Sequence, residues 1–139
     1  MKPIQSLVQI ERNAGTFNQE YDYNYKILIV DDQSFNIEAL KIILHYCIGL
    51  NTQLYCNSAL SGQQAFQMVI DDFEEGNKRE TSYNLILMDL NMPEMDGNTS
   101  MVNIREYLLS KKAKQPIISA VTGHLESSYV DQAINMGMN

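Results

Sequence analysis

Hydrophobic residues come in short unbroken runs that stop at polar residues. Longer segments follow each run, with apolar residues recurring every three or four positions. Lys26–Val30 reads KILIV, an apolar run of strand type that ends at Asp31-Asp32. Ser34 then stands where a helix cap is wanted. Ile37, Leu40, Ile43, Leu44 and Cys47 fall on one face of the helix it would open, and Gly49 ends that helix. TQLYCNSA, residues 52–59, reads as a second strand. Ser61-Gly62 opens a second helix, with Ala65, Phe66, Val69, Ile70 and Phe73 on one stripe. The charged loop EEGNKRETSY leads to NLILM, residues 84–88, a third strand ending at Asp89. Met101, Ile104 and Leu108 at i, i+3 and i+7 predict a helix over 98–110, after which KKAKQ is a basic surface loop. PIISAV, residues 116–121, is a fourth strand with Pro116 at its first position, where a missing N–H is tolerated. A last helix spans 126–136 and ends at Gly137. Residues 1–24 are polar and hold the tyrosine cluster YDYNY. With no sustained period they read as a mobile arm, with room for a short helix at Ile4–Arg12.

Strand followed by helix, four times over, predicts an α/β fold: a parallel sheet covered by helices on both faces. The first, third and fourth strands are apolar without alternation, as burial on both faces requires. The length, 139 residues, suits one domain.

In an open parallel sheet, sites form beyond the C-terminal ends of the strands. Here those ends carry Asp31-Asp32, Asp89 and Thr122. If the strands are neighbours, these side chains share one crevice. A lone Asp after a strand is ordinarily a cap or turn residue, but capping alone does not account for polar oxygen donors at three strand ends. Clustered carboxylates repel unless a hard cation joins them, and Mg²⁺ takes one or two carboxylates, water and a phosphate. The cluster therefore predicts a Mg²⁺ site and a carboxylate able to accept a phosphoryl group, with the Thr122 hydroxyl as hydrogen-bond donor. DLNMPEMDG is not an EF-hand loop, because Glu94 and Ser100 occupy the positions that need Gly and Glu. His45 and His124 have no partner at ligand spacing, and no Gly-rich phosphate loop or Ser-His-Asp pattern is readable.

Net charge −7 argues against nucleic acid binding through the general surface. No apolar stretch approaches the roughly 20 residues of a membrane helix. Cys47 and Cys56 read as two buried free thiols in a reducing compartment, which places the chain in the cytoplasm.

ILIVDDQ, SGQQAF, NLILMDLNMPEMDG, PIISAVTGH and AINMGMN, in that order, resemble the receiver domain of two-component response regulators and hybrid histidine kinases. The resemblance covers residues 25–139. It implies a three-layer, flavodoxin-like fold with strand order 2-1-3-4 over the strands present. It also implies that Asp89 is the phosphoacceptor in a His-to-Asp phosphorelay, taking its phosphoryl group from a histidine kinase or histidine phosphotransfer protein. Asp32 is then a direct Mg²⁺ ligand, Asp31 acts mainly through water, and the backbone carbonyl of Asn91 is a further metal contact. Thr122 is the switch hydroxyl, and Pro93 and Gly97 shape the loop after the acceptor. Such a module is a switch rather than a turnover enzyme.

The resemblance stops before the family's fifth strand, with its lysine, and final helix. Three explanations are open: a chain cut from a longer receiver, completion of the sheet by a partner or second copy, or a pseudo-receiver that binds partners without phosphorylation. On this reading the fourth strand is left as an exposed apolar edge, a route to self-association. A hydrolase with an aspartyl nucleophile fits less well, since it wants Asp-x-Asp after the first strand where this chain has Asp31-Asp32.

Overall fold

The four apolar runs assemble into one parallel sheet in the order β2-β1-β3-β4, as expected. The computed structural model describes residues 25–76, 79–121 and 127–139, so the arm over 1–24 and Thr122 lie outside the described residues. Its elements are β1 (Lys26–Val30), α1 (Ser34–Ile48), α2 (Thr52–Tyr55), β2 (Cys56–Ala59), α3 (Gly62–Glu75), β3 (Tyr83–Met88), α4 (Gly97–Ser110), β4 (Ile117–Ala120) and α5 (Ser127–Asn135).

The two central strands are apolar because both their faces are covered: Leu28, Ile29, Val30, Ile86 and Met88 are all buried. The larger core lies under α3 and α4. Val69 and Phe73 from α3 and Met101, Ile104 and Leu108 from α4 pack there against Leu28, Val30, Ile86, Met88 and Ile118. The opposite face has a smaller cluster, in which Ile37 of α1 meets Ile29 and Cys56, with Leu40, Leu44 and Leu87 packed around them.

Four expectations are corrected. TQLYCNSA is not one strand. Ile27–Val30 pair with Cys56–Ala59, so Thr52–Leu54 would run past the start of β1, and Leu54 and Tyr55 instead hydrogen-bond to the Asn51 carbonyl in the short helix α2. Ser34 does not cap α1; Gln33 holds the cap position and makes no side-chain capping bond. The inward face of α1 is narrower than predicted. Ile43, about 100° around the helix from Leu44, is 53% exposed, and Cys47 in the last turn is exposed, so only Cys56 is a buried thiol. The outer edge of β4 is not wholly open, because Ile118 donates its N–H to Asn139 Oδ1 (3.0 Å) and accepts from Asn139 N–H (2.8 Å).

Other predicted features are as read. Gly49 ends α1 in the left-handed conformation, φ 70°. Ser61 caps α3 by accepting from Gln64 N–H. Asp96, not among the expected caps, caps α4 by accepting from Thr99 N–H.

Candidate metal centre

Strand register brings the acids together. Val30 and Met88 are partners in the β1–β3 ladder, and the residues one step beyond them are Asp31 and Asp89. The ladder continues through that step: Asp89 N–H donates to the Val30 carbonyl at 2.9 Å, and Asp31 N–H donates to the Ala59 carbonyl at 3.1 Å. Asp32 follows directly. One carboxylate oxygen from each of Asp31, Asp32 and Asp89 lies within 4.8 Å of the other two. Asp31 is buried, and Asp32 and Asp89 are half-buried.

The carboxylates are held by neutral donors. Asp31 Oδ1 accepts from Gln33 N–H at 2.8 Å, and the side-chain amide of Asn36 donates to both Asp31 oxygens at 3.2 and 3.1 Å. Asp32 Oδ2 accepts from Gln33 Nε2 at 3.4 Å, and Asp89 Oδ1 accepts from Asn91 N–H at 3.1 Å. The ion pairs found among the described residues, Lys41–Glu38, Lys111–Glu74 and Lys114–Glu80, do not involve the cluster. Burial pushes the Asp89 carboxyl above its ordinary range. The Asn91 N–H bond opposes that shift, and the neighbouring charges of Asp31 and Asp32 add to it.

Oxygen-only donors, close spacing and this mutual repulsion fit a hard divalent ion such as Mg²⁺ better than zinc, which prefers nitrogen and sulfur.

The loop after Asp89 is anchored by its apolar residues, Leu90 and Met92, which are buried, while Pro93 is exposed. Glu94 takes a left-handed conformation (φ 64°), and Gly97 N–H returns to the Leu90 carbonyl at 3.3 Å. Asn91 is exposed two residues past Asp89. Of the expected site residues, Asp31, Asp32, Asp89 and Asn91 thus lie at one end of the sheet, beyond the neighbouring strands β1 and β3. Thr122 is outside the described residues, although Val121 before it donates to the Met88 carbonyl at 2.8 Å. Asn36 was not anticipated. Only its place in the first turn of α1, five positions after Asp31, marks it in the sequence, because Ser34, Glu38, Lys41 and His45 make it one polar residue of several in that helix.

The family model for the response regulator receiver domain matches residues 27–139. The chain is similar to the osmosensing histidine protein kinase SLN1 of Saccharomyces cerevisiae, with 34% identity over 130 residues, covering 92% of this chain and 10% of that one. It is also similar to chemotaxis protein CheY of Treponema pallidum, with 31% identity over 99 residues, covering 70% of this chain and 58% of that one. Among solved structures, the receiver domain of the histidine kinase CKI1 from Arabidopsis thaliana, complexed with Mg²⁺ and BeF₃⁻, superposes with a TM-score of 0.70 at 28% identity. That match covers 82% of this chain and 76% of that one. The chain spans about a tenth of the length of the kinases it matches first.

Proposed function

The chain belongs to the response regulator receiver domain family, and from that premise we propose that it accepts a phosphoryl group on Asp89 with Mg²⁺ bound between Asp31, Asp32 and Asp89. The observation that carries this reading is the convergence of three carboxylates within 4.8 Å at the ends of β1 and β3. Bound Mg²⁺ would offset the negative charge of the carboxylates and of the incoming phosphoryl oxygens. The chain's own residues do the rest. The Asn91 N–H orients Asp89, leaving its other oxygen to attack phosphorus. The bond from phosphorus to the donor nitrogen breaks, its electron pair stays with the donor imidazole, and a mixed anhydride remains on Asp89.

The donor is a phosphohistidine on a histidine kinase or histidine phosphotransfer protein. The Asn91 carbonyl would be a further metal contact, and Thr122 would act as the switch hydroxyl. The module acts in the cytoplasm as a switch, without catalytic turnover of its own. Among the described residues no helix is long and apolar enough to cross a membrane.

The test is labelling by a small-molecule phosphodonor. With Mg²⁺ present, the unaltered chain should gain one acid-stable, hydroxylamine-labile phosphoryl group. Asp89→Asn should gain none, and labelling of that variant at the unaltered rate rejects the assignment.

A further inference from the structure

We infer that Asn36 is a positioning residue for the acid cluster: its side-chain amide clamps the Asp31 carboxylate and so sets the affinity of the site for a divalent cation. The inference rests on reading the cluster as a Mg²⁺ site. Asp31 is the most buried of the three acids, and a carboxylate on a single bond can turn. Asn36 Nδ2 reaches both of its oxygens, at 3.2 and 3.1 Å, and Gln33 N–H fixes Oδ1 at 2.8 Å. Rotation of Asp31 therefore breaks contacts on both oxygens.

The clamp is neutral. A lysine or arginine in the same place would hold Asp31 equally well but would cancel its charge and compete with the cation. An amide orients the carboxylate and leaves the full negative charge facing Asp32 and Asp89. Asn36 sits in the first turn of α1, five residues after Asp31, so the helix start carries the donor to the strand end. Its side chain is exposed, so the fold does not depend on it for packing. Partners that orient metal ligands typically set affinity by ten-fold or more.

The experiment uses the full chain and Mg²⁺ alone, with binding followed by amide NMR shifts. Asn36→Leu, close in volume but without the amide, should bind Mg²⁺ about ten-fold more weakly, while its melting temperature in chelator falls only by the few degrees that losing hydrogen bonds to a carboxylate costs. Asn36→Gln, which keeps an amide donor, should retain most of the affinity. With a small-molecule phosphodonor, the Mg²⁺ concentration for half-maximal labelling of Asn36→Leu should rise by the same factor, and the rate at saturating Mg²⁺ should return to that of the unaltered chain. A purely structural role would lower stability and the saturating rate together and leave half-saturation in place. That result overturns the inference, as does equal Mg²⁺ affinity in Asn36→Leu and the unaltered chain. An unaltered chain that binds no Mg²⁺ overturns the metal reading and this inference together. Should Asn36→Leu not fold, Asn36→Ala carries the same expectations.

Discussion

Gly97 rests against the backbone of Asp89 so closely that a β-carbon on it would lie 2.9 Å from the Asp89 carbonyl carbon and 3.0 Å from Leu90 Cα. The loop that leaves Asp89 thus returns to touch the residue it left, and α4 starts at that contact. The obstacle to a side chain is backbone, which cannot rotate away. Gly97→Ala should cost about 3 kcal/mol, at the upper end of the usual overpacking range, and should weaken Mg²⁺ binding by displacing Asp89. Urea denaturation together with Mg²⁺ titration checks this. A loss under about 1 kcal/mol would mean that the loop yields to a methyl group.

The repulsion that raises Asp89 has a pH signature. Its folded pKa lies above the ordinary 3.8, through burial first and then the charges of Asp31 and Asp32, against the Asn91 N–H bond. A raised carboxylate favours the folded state when protonated. That contribution is complete below the unfolded value and is lost as pH rises through the folded value. Without metal, Asp89→Asn should therefore gain stability over the unaltered chain as pH rises from about 4 to 7. Mg²⁺ bound to the ionised cluster would reverse the order of the two proteins at pH 7. Thermal unfolding of both proteins in chelator and in Mg²⁺ measures it; a pH-independent difference in chelator contradicts it.

Much of this was legible in the sequence because periodicity and burial coincide in the central elements. KILIV and NLILM form the doubly covered strands β1 and β3, and Met101, Ile104 and Leu108 form the buried stripe of α4. The acids were legible because each ends a strand. That Asp31 and Asp89 are neighbours is a matter of ladder register, which no local pattern encodes. The inward face of α1 was misjudged because α1 is apolar nearly all round. Phe35, Ile42, Ile43 and Tyr46 are exposed on it, so hydrophobicity cannot say which side meets the sheet. The split of TQLYCNSA between α2 and β2 depends on where β1 begins. Asn36 escaped notice because a lone Asn in a helix has no distinctive spacing; its role depends on where β1 delivers Asp31.

Asp72 on α3 fixes the opposite end of β3. Its carboxylate accepts from Thr81 Oγ1 and Ser82 N–H, each at 2.6 Å, and from Ser82 Oγ. Ser82 in turn offers its carbonyl to Lys26 N–H at 2.7 Å, so the clamp sets where β3 begins beside β1. Asp72→Asn turns an amide N–H donor toward donors and should cost about 2 kcal/mol, within the range for hydrogen bonds to a charged group. Because the acids lie at the other end of β3, Mg²⁺ affinity should stay within about two-fold after correction for unfolded protein. A larger change in affinity would show that a shift at the start of β3 travels along the strand.

Arg105 of α4 holds the last residues of the chain against β4. Its guanidinium donates to the Gly137 carbonyl at 3.2 and 2.8 Å, to the Pro116 carbonyl at 2.8 Å and to Asn139 Oδ1 at 2.9 Å. Asn139 Oδ1 also takes the Ile118 N–H. One planar fork therefore fixes the side chain that satisfies the outer edge of β4. A lysine carries the same charge but cannot reach three acceptors in one plane. Arg105→Lys should cost about 2 kcal/mol and should free the Asn139 side chain. The sharper readout is amide exchange. Ile118 N–H should lose protection in the variant before Ile86, which lies in the sheet centre, loses any. If Ile118 keeps its protection in Arg105→Lys, Asn139 holds the edge without the guanidinium and the clasp assigned to Arg105 is wrong.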